Sequence, residues 1–371
     1  MAITQEQIYE GLDLDLSWSE RELPERIRTK HVHRLHPYLG KYVPQLVEEL
    51  FRRHVPVRAR VLDPFAGSGT TLVQALESGL DSVGVDIAAF NCLLMNVKTG
   101  AHNPFGLEHD LRDALARFER GEGDETGATP YLRRWFATDA RSQLLRFRSL
   151  ASEYEHADVL RIVLTRAARS ARRTTHFDLD FPKAPQTKPY WCHKHRRECR
   201  PVDHAEHFIR RYALDTLTRL KEFSRVRSRH SATVLHGDAR ELDLAGTFDA
   251  VVTSPPYPGL IDYHEQHRYA YELLGLDDLR EREIGAAARG TSKVALAAYV
   301  DGIAAVFASC ASALKSRGRV VIVVNDRREL YPEILARAGL VLEQRYQRHV
   351  NRRTGRRSGE YFEDVLVARH A

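Results

Sequence analysis

The stretch "ARVLDPFAGSGTTLVQALESG" (residues 59–79) decides the fold. Its opening residues form a short apolar run ending at Asp63, as a buried strand does, and Pro64 then stops the ladder. Gly67 and Gly69 supply a tight turn, and "TTLVQALES" reads as a helix closed by Gly79. The next stretch, "DSVGVDIAAFNCLLMNVKTG" (81–100), repeats the pattern with a second strand ending at Asp86 and a second helix. Such alternation is a βαβ unit, and it predicts an α/β fold with a doubly wound, Rossmann-like parallel sheet.

The turn also suggests a ligand. N–H groups at a helix start bind anionic groups, but Lys is missing before the Thr, so this is not a phosphate-binding P-loop. Asp63 at its strand end suits a positively charged group such as an amine. Asp86, about twenty residues further on, can accept both hydroxyls of a ribose. A nucleoside is the ligand these features predict together.

Further along, "ATVLHGDA" (232–239), "FDAVVTSPPY" (248–257) and "GRVVIVVND" (318–326) resume the strand rhythm. A helix from Pro332 to Gly339 follows. "VLEQRYQRHV" and "EYFEDVLVAR" then predict a closing hairpin across the turn 351–359. Between them, residues 101–230 break the rhythm. Helical stretches at Tyr131–Leu150, Asp158–Ser170 and Asp203–Phe223 surround an irregular segment, 172–202. That span is too long for a loop and predicts an inserted, mostly helical subdomain. The expected organisation is therefore 1–100, first half of the sheet domain; 101–230, the insert; 231–371, second half.

Composition bounds the partners. The net charge is +6 with a pI near 9.1. Residues 139–230 carry 21 Lys and Arg against 11 Asp and Glu, so the basic character is concentrated in the insert. Of 56 basic residues 47 are Arg, which favours bidentate phosphate or base contacts. Four cysteines are too few for a disulfide scaffold, and no apolar leader is visible, so a cytoplasmic protein is expected. No stretch is expected to span a membrane; Val294–Leu314, interrupted by Asp301, reads as an amphipathic helix.

"TFDAVVTSPPYPG" (247–259) ends a core strand on a rigid lip. An exocyclic amine on a nucleobase is a poor nucleophile because its lone pair is delocalised into the ring. The Ser254 hydroxyl and the Pro255 carbonyl could each accept one of its N–H groups. Pro255 and Pro256 would keep those acceptors aimed, and Tyr257 offers a face on which a base stacks. The bland alternative for Pro-Pro-Tyr alone is a rigid turn with a core tyrosine.

"DPFAGSGTT" and "TSPPY" resemble motifs I and IV of the S-adenosylmethionine-dependent DNA amino-methyltransferases. "HPYLGKYVPQLVEELF" (36–51) resembles their motif X, "GVDI" motif II and "HGDAREL" motif III. The resemblance covers residues 31–100 and 232–370 and implies a class I methyltransferase sheet that takes S-adenosylmethionine. It implies cofactor contacts from Lys41, Tyr42, Asp63, Pro64, Phe65, Ala66, Gly67, Ser68, Gly69, Thr70, Asp86, Ile87, Asp238 and Ala239. Ser254 as the first residue of the lip implies N4 of cytosine, with Ser254, Pro255, Pro256 and Tyr257 at the base. Adenine N6 is the nearest rival. A tRNA or rRNA base amino-methyltransferase and a catalytically silent nucleic-acid-binding protein are further ones. No cysteine follows a proline, so the C5-cytosine branch is excluded.

Double-stranded DNA is the expected partner, a cognate restriction endonuclease is a candidate, and the state is left open between monomer and homodimer. The insert is the first candidate for recognition, through Lys194, Arg196 and Arg197 and the aromatics Phe177, Phe181, Tyr190 and Trp191. Tyr263, His264, His267 and Arg268 follow the lip and could order a flipped base, although neighbouring Tyr269 and Tyr271 read equally well as core. Arg352, Arg353, Arg356 and Arg357 lie in the turn between the last two strands, where phosphates are expected. Cys192, His195, Cys199 and His204 could supply four zinc ligands. Their spacing matches no strong pattern and basic residues surround them, so a polar surface loop is expected there and no metal.

Overall fold

The computed structural model describes residues 16–18, 21–176, 178–179, 181–241, 247–350 and 361–371. The chain divides into two units: Met1–Ile87, Arg227–Ile261 and Glu281–Ala371 form the first, Ala88–Val226 and Asp262–Arg280 the second.

The first unit is built on a seven-stranded sheet. Its strands are β1 (Arg60–Asp63), β2 (Asp81–Asp86), β5 (Ala232–His236), β6 (Phe248–Thr253), β7 (Leu314–Val324), β8 (Leu340–Val350) and β9 (Tyr361–His370). The remaining two, β3 (Tyr190–Cys192) and β4 (Arg197–Cys199), pair separately in the second unit. The large sheet runs in the order β5-β2-β1-β6-β7-β9-β8. Five strands are parallel, and β9 lies antiparallel to both β7 and β8. This is the doubly wound topology the sequence predicted, with the strand order switching between β1 and β6.

Period-two geometry explains why the central strands read as continuous apolar runs. Val251, Val320, Ile322 and Leu366 point into one core layer, with residues of the helix Lys293–Ala313. Their neighbours Val252, Val321, Val323 and Val365 point into the other, with residues of the helix Pro44–His54. Both faces are covered, so neither register position is polar.

Lys293–Ala313 is the helix expected at 294–314. By length and composition alone it could cross a membrane. Its apolarity has a local cause: Tyr299, Ile303, Val306, Phe307 and Cys310 pack into the sheet's core.

The second unit is mostly helical. Its helices are Ala89–Thr99, Pro104–Glu119, Pro130–Trp135, Thr138–Ala151, Ala157–Ala171, Glu206–Ser224, Tyr263–Gln266 and Arg268–Leu274. Ala157–Ala171 is buried along most of its length, as befits a central helix. The boundaries differ from those expected. The unit begins at Ala88 instead of 101 and includes Asp262–Arg280, which the sequence assigned to the sheet. The single helix expected at Tyr131–Leu150 is two, because Phe136 is extended and its ring buried.

Candidate active site

At the carboxyl end of β1 the turn 64–69 leads into the helix Thr70–Ser78. Gly67 has φ +52°, and a Cβ there would lie 3.0 Å from the Tyr38 hydroxyl oxygen. Gly69 has φ +78°. Both positions therefore need glycine. The Gly67 N–H donates to Asp86 Oδ2 at 2.7 Å, and Ala66 N–H to the Val85 carbonyl at 3.0 Å. The turn is thus laid against the end of β2. Ala66, Ser68 and Thr70 are buried, Phe65 meets Phe307 edge-on, and Pro64 opens the turn.

Asp63 departs from its expected role. It is 1 % exposed, and its oxygens accept from Thr253 Oγ1 (2.6 Å), Phe65 N–H (3.1 Å), Thr71 Oγ1 and the Tyr42 hydroxyl (3.4 Å). Burial pushes its carboxyl up to about 6. The structure makes Asp63 an internal strut between β1, β6 and the helix that follows the turn, because three hydroxyls and an amide already fill its acceptor sites.

Asp238 is likewise occupied. Arg240 and Arg282 grip it, with Nε of Arg240 at 2.9 Å and an Arg282 nitrogen at 3.0 Å. Burial alone would raise its pKa, but these partners hold it below the usual carboxylate range. A contact to an adenine ring would require those pairs to rearrange. Ala239 beside it is buried, and the Ile87 carbonyl faces His236 Nε2 at 3.2 Å.

Lys41 and Tyr42 fold over this corner. The Tyr42 hydroxyl meets Thr71 and Asp63. Lys41 Nζ donates to the His33 carbonyl at 2.7 Å, and burial lowers its pKa to about 8.

β6 ends beside the same corner, joined to it by the Thr253–Asp63 hydrogen bond. The Ser254 hydroxyl donates to the Val323 carbonyl at 2.9 Å. Its single proton is thereby committed, and its lone pairs remain as acceptors. Among the described residues no hydrogen bond engages the Pro255 carbonyl, whereas the Pro256 carbonyl accepts from Tyr299 at 3.0 Å. Tyr299 in turn contacts Tyr331 at 3.1 Å. The Tyr257 hydroxyl donates to Glu363 Oε1 at 3.0 Å, and burial pushes its phenol well up. Glu363 also accepts from Arg348 at 3.0 Å. A cavity of about 140 Å³ lies beside the lip, lined by Tyr257, Tyr299, Asn325, Asp326, Arg327 and Tyr361 among others.

A family model described as "DNA methylase" matches residues 11–96. The chain is 33 % identical to the type II methyltransferase M.MjaII of Methanocaldococcus jannaschii, over 98 % of this chain and 84 % of that protein. The chain belongs to the DNA amino-methyltransferase family. The type II methyltransferase M.MvaI of Kocuria varians is similar at 24 % identity, over 61 % of this chain and 53 % of that protein. Among solved structures, the rRNA methyltransferase aviRa of Streptomyces viridochromogenes aligns over 95 % of this chain and 96 % of its own. There the identity is 13 % and the TM-score 0.39.

In the methyltransferase's second unit the residues expected to meet DNA part company. His264 and His267 are each 1 % exposed. His267 packs on Phe90 at 4.7 Å between ring centres and His264 on Tyr271 at 5.1 Å. The two short helices turn these imidazoles inward, so they are core and not a reading surface. Tyr269 and Tyr271 are core as well. Arg268 lies over the Tyr131 ring at 5.1 Å and pairs with Glu265 and Glu272; only Tyr263 and Arg268 of this set keep partial exposure.

Lys194, Arg196 and Arg197 are exposed on the β3–β4 hairpin. Among the described residues none of the three is paired with a carboxylate. Arg352, Arg353, Arg356, Arg357 and Phe177 lie outside the described residues. The suggested ligand set is also revised: Cys192, His195 and Cys199 come together with His176, while His204 sits 3.9 Å from Asp139.

Glu363, Arg348 and Tyr299 were missed at the sequence level. They reach the lip from strands and a helix far along the chain, and no local spacing marks them.

Proposed function

We propose that the protein methylates N4 of cytosine in double-stranded DNA. The observation that supports an exocyclic amine as target is Ser254, whose donor is spent on Val323 so that its oxygen can serve a substrate as an acceptor. The choice of cytosine over adenine rests on Ser as the first residue of the lip. An exocyclic amine presents two N–H donors. Ser254 Oγ and the Pro255 carbonyl accept them, drawing the nitrogen toward a tetrahedral geometry with its lone pair free. Tyr257, held at its hydroxyl by Glu363, keeps a fixed ring on which the flipped base stacks, worth about 1–3 kcal/mol. That offsets the few kcal/mol of unstacking.

The bare left-handed glycine turn fits S-adenosylmethionine, since a side chain at Gly67 would fill the space beside Tyr38. When bound, the cofactor supplies an electrophilic methyl group on a sulfonium. Gly67, Gly69 and the N–H groups opening the helix Thr70–Ser78 would hold it, with Asp86 toward the ribose. Lys41 and Tyr42 cover that corner. The chain's contribution to rate is then mainly positioning, for which effective molarities reach about 10⁵–10⁸ M.

The deciding experiment is mass spectrometry of nucleosides from DNA and tRNA treated with the protein and isotope-labelled S-adenosylmethionine. Labelled N4-methylcytosine in DNA is expected. Label in adenine N6 would keep the lip and overturn the reading of Ser254. Label confined to tRNA would overturn DNA as substrate.

A further inference from the structure

Outside the sheet's crevice, four side chains converge on one point of the second unit. One ligand atom from each of His176, Cys192, His195 and Cys199 lies within 4.8 Å of all the others. Cys192 Sγ is 3.5 Å from His176 Nδ1 and 3.7 Å from His195 Nδ1, and Cys199 Sγ is 3.5 Å from His195 Nδ1. Metal bonds of about 2.3 Å to sulfur and 2.0–2.1 Å to nitrogen, at a tetrahedral angle, separate S from N by about 3.5 Å. Three of the cluster's sulfur–nitrogen separations already match that spacing.

The hairpin has little else to hold it. β3 and β4 are three residues each and pair only with one another. Within Tyr190–Cys199 only Cys192 and Cys199 are buried; Trp191, 60 % exposed, and His193 to Glu198 face solvent. An isolated two-stranded ribbon is marginal in water, and segments without a core use disulfides or metals in its place. The cysteines here are free. The turn is preset for ligation: His195 N–H donates to the Cys192 carbonyl at 3.1 Å, and Arg196 is left-handed at φ +51°. That brings Cys192, His195 and Cys199 onto one side, and His176 joins from the segment before the hairpin. Tyr190 Oη, 2.8 Å from the same His176 Nδ1, also accepts the His176 backbone N–H at 3.1 Å. It keeps that partner when a metal takes the imidazole lone pair.

We infer that His176, Cys192, His195 and Cys199 bind one Zn²⁺ as a closed, structural site that fastens the basic hairpin. Two thiolates balance the dication, two neutral imidazoles complete the tetrahedron, and the two thiol protons leave to solvent on binding. With four protein ligands no position is open for water, so the metal holds structure and takes no part in methyl transfer.

The test is elemental analysis of the full chain purified without chelator. One zinc per chain is expected. His176→Ala and Cys199→Ser should each fall below about a fifth of that, while His204→Ala keeps the full equivalent. The wild-type chain also carries a test that needs no variant to fold. After removal of metal, Co²⁺ should give intense tetrahedral d–d bands and a thiolate charge-transfer band. Trypsin cleavage after Lys194, Arg196 or Arg197 should accelerate at least tenfold with chelator and slow again with zinc. Wild-type protein with no zinc and no tetrahedral cobalt spectrum overturns the site, as does loss of zinc from His204→Ala.

Discussion

Two turns are proposed to carry chemistry in this molecule, and they are held by opposite means. The lip 254–257 leaves a strand buried on both faces, and its Ser254, Pro256 and Tyr257 each have a hydrogen bond to a different element of the sheet unit. The hairpin turn 193–196 leaves strands of three residues and turns only two sulfurs inward. Packing preorganises the first, whereas the second depends on four ligand atoms meeting. The difference teaches where precision is needed. A lip proposed to aim acceptors at one nitrogen needs a rigid frame, while a basic hairpin, if it is to meet phosphates as proposed, needs only to stay folded and exposed.

The sharpest break of this comparison is at the lip. Ser254→Ala should lose about 10²–10³ in kcat, the scale seen when one aimed hydrogen-bonding group is removed. Tyr257→Ala should lose about 10² through lost stacking. Isothermal titration should find S-adenosylmethionine affinity within twofold of wild type in both. Full turnover by Tyr257→Ala would leave the proposed stacking without support.

Beneath the lip, Asp63 gives the next effect, and its sign follows from burial. Its carboxyl is raised to about 6 from 3.8, so the folded state holds the proton more tightly than the unfolded chain does. The associated stability is complete below pH 3.8 and is lost as pH rises through about 6. Asp63→Asn cannot titrate. The wild-type minus variant unfolding free energy should therefore fall by about 3 kcal/mol between pH 3.5 and 7, read from urea midpoints. A difference that stays flat with pH would contradict the buried, raised carboxyl.

Much of the sheet unit was legible because its signals are local. Period-two burial made β6 and β7 apolar, and the glycines of the 64–69 turn mark left-handed positions. Asp63 was misjudged for a reason of distance: the hydroxyls of Tyr42, Thr71 and Thr253 that fill it arrive from three separate elements. His264 and His267 were misjudged because a histidine on a short helix gives no sign of which way it faces. The helix Pro104–Glu119 went unread at the sequence level, although its start carries Asn103 capping Phe105 and Gly106 and Pro104 in the first turn. His176 had no such signal, standing sixteen residues before Cys192 without any motif spacing.

On the hairpin the effect should be smaller and salt-dependent. Replacing Lys194, Arg196 and Arg197 together by Gln should weaken binding to duplex DNA about tenfold near 0.1 M salt. The slope of log K against log salt should flatten by about 2–3, near 0.9 per lost phosphate contact. An unchanged slope in fluorescence anisotropy would remove the hairpin from the interface.

The gentlest test returns to the frame of the lip. Tyr299→Phe deletes the hydrogen bond to the Pro256 carbonyl and the contact with Tyr331 while keeping the ring that packs beneath the sheet. A net hydrogen bond contributes about 0.5–1.5 kcal/mol, so kcat should fall about 2- to 12-fold. If the hydroxyl acts by aiming the lip, KM for the cofactor stays fixed and the loss lies in kcat. If it acts only through stability, the urea midpoint drops while kcat of the folded protein is unchanged. That split separates a rigid aiming frame from mere anchorage, the distinction on which the contrast with the hairpin stands.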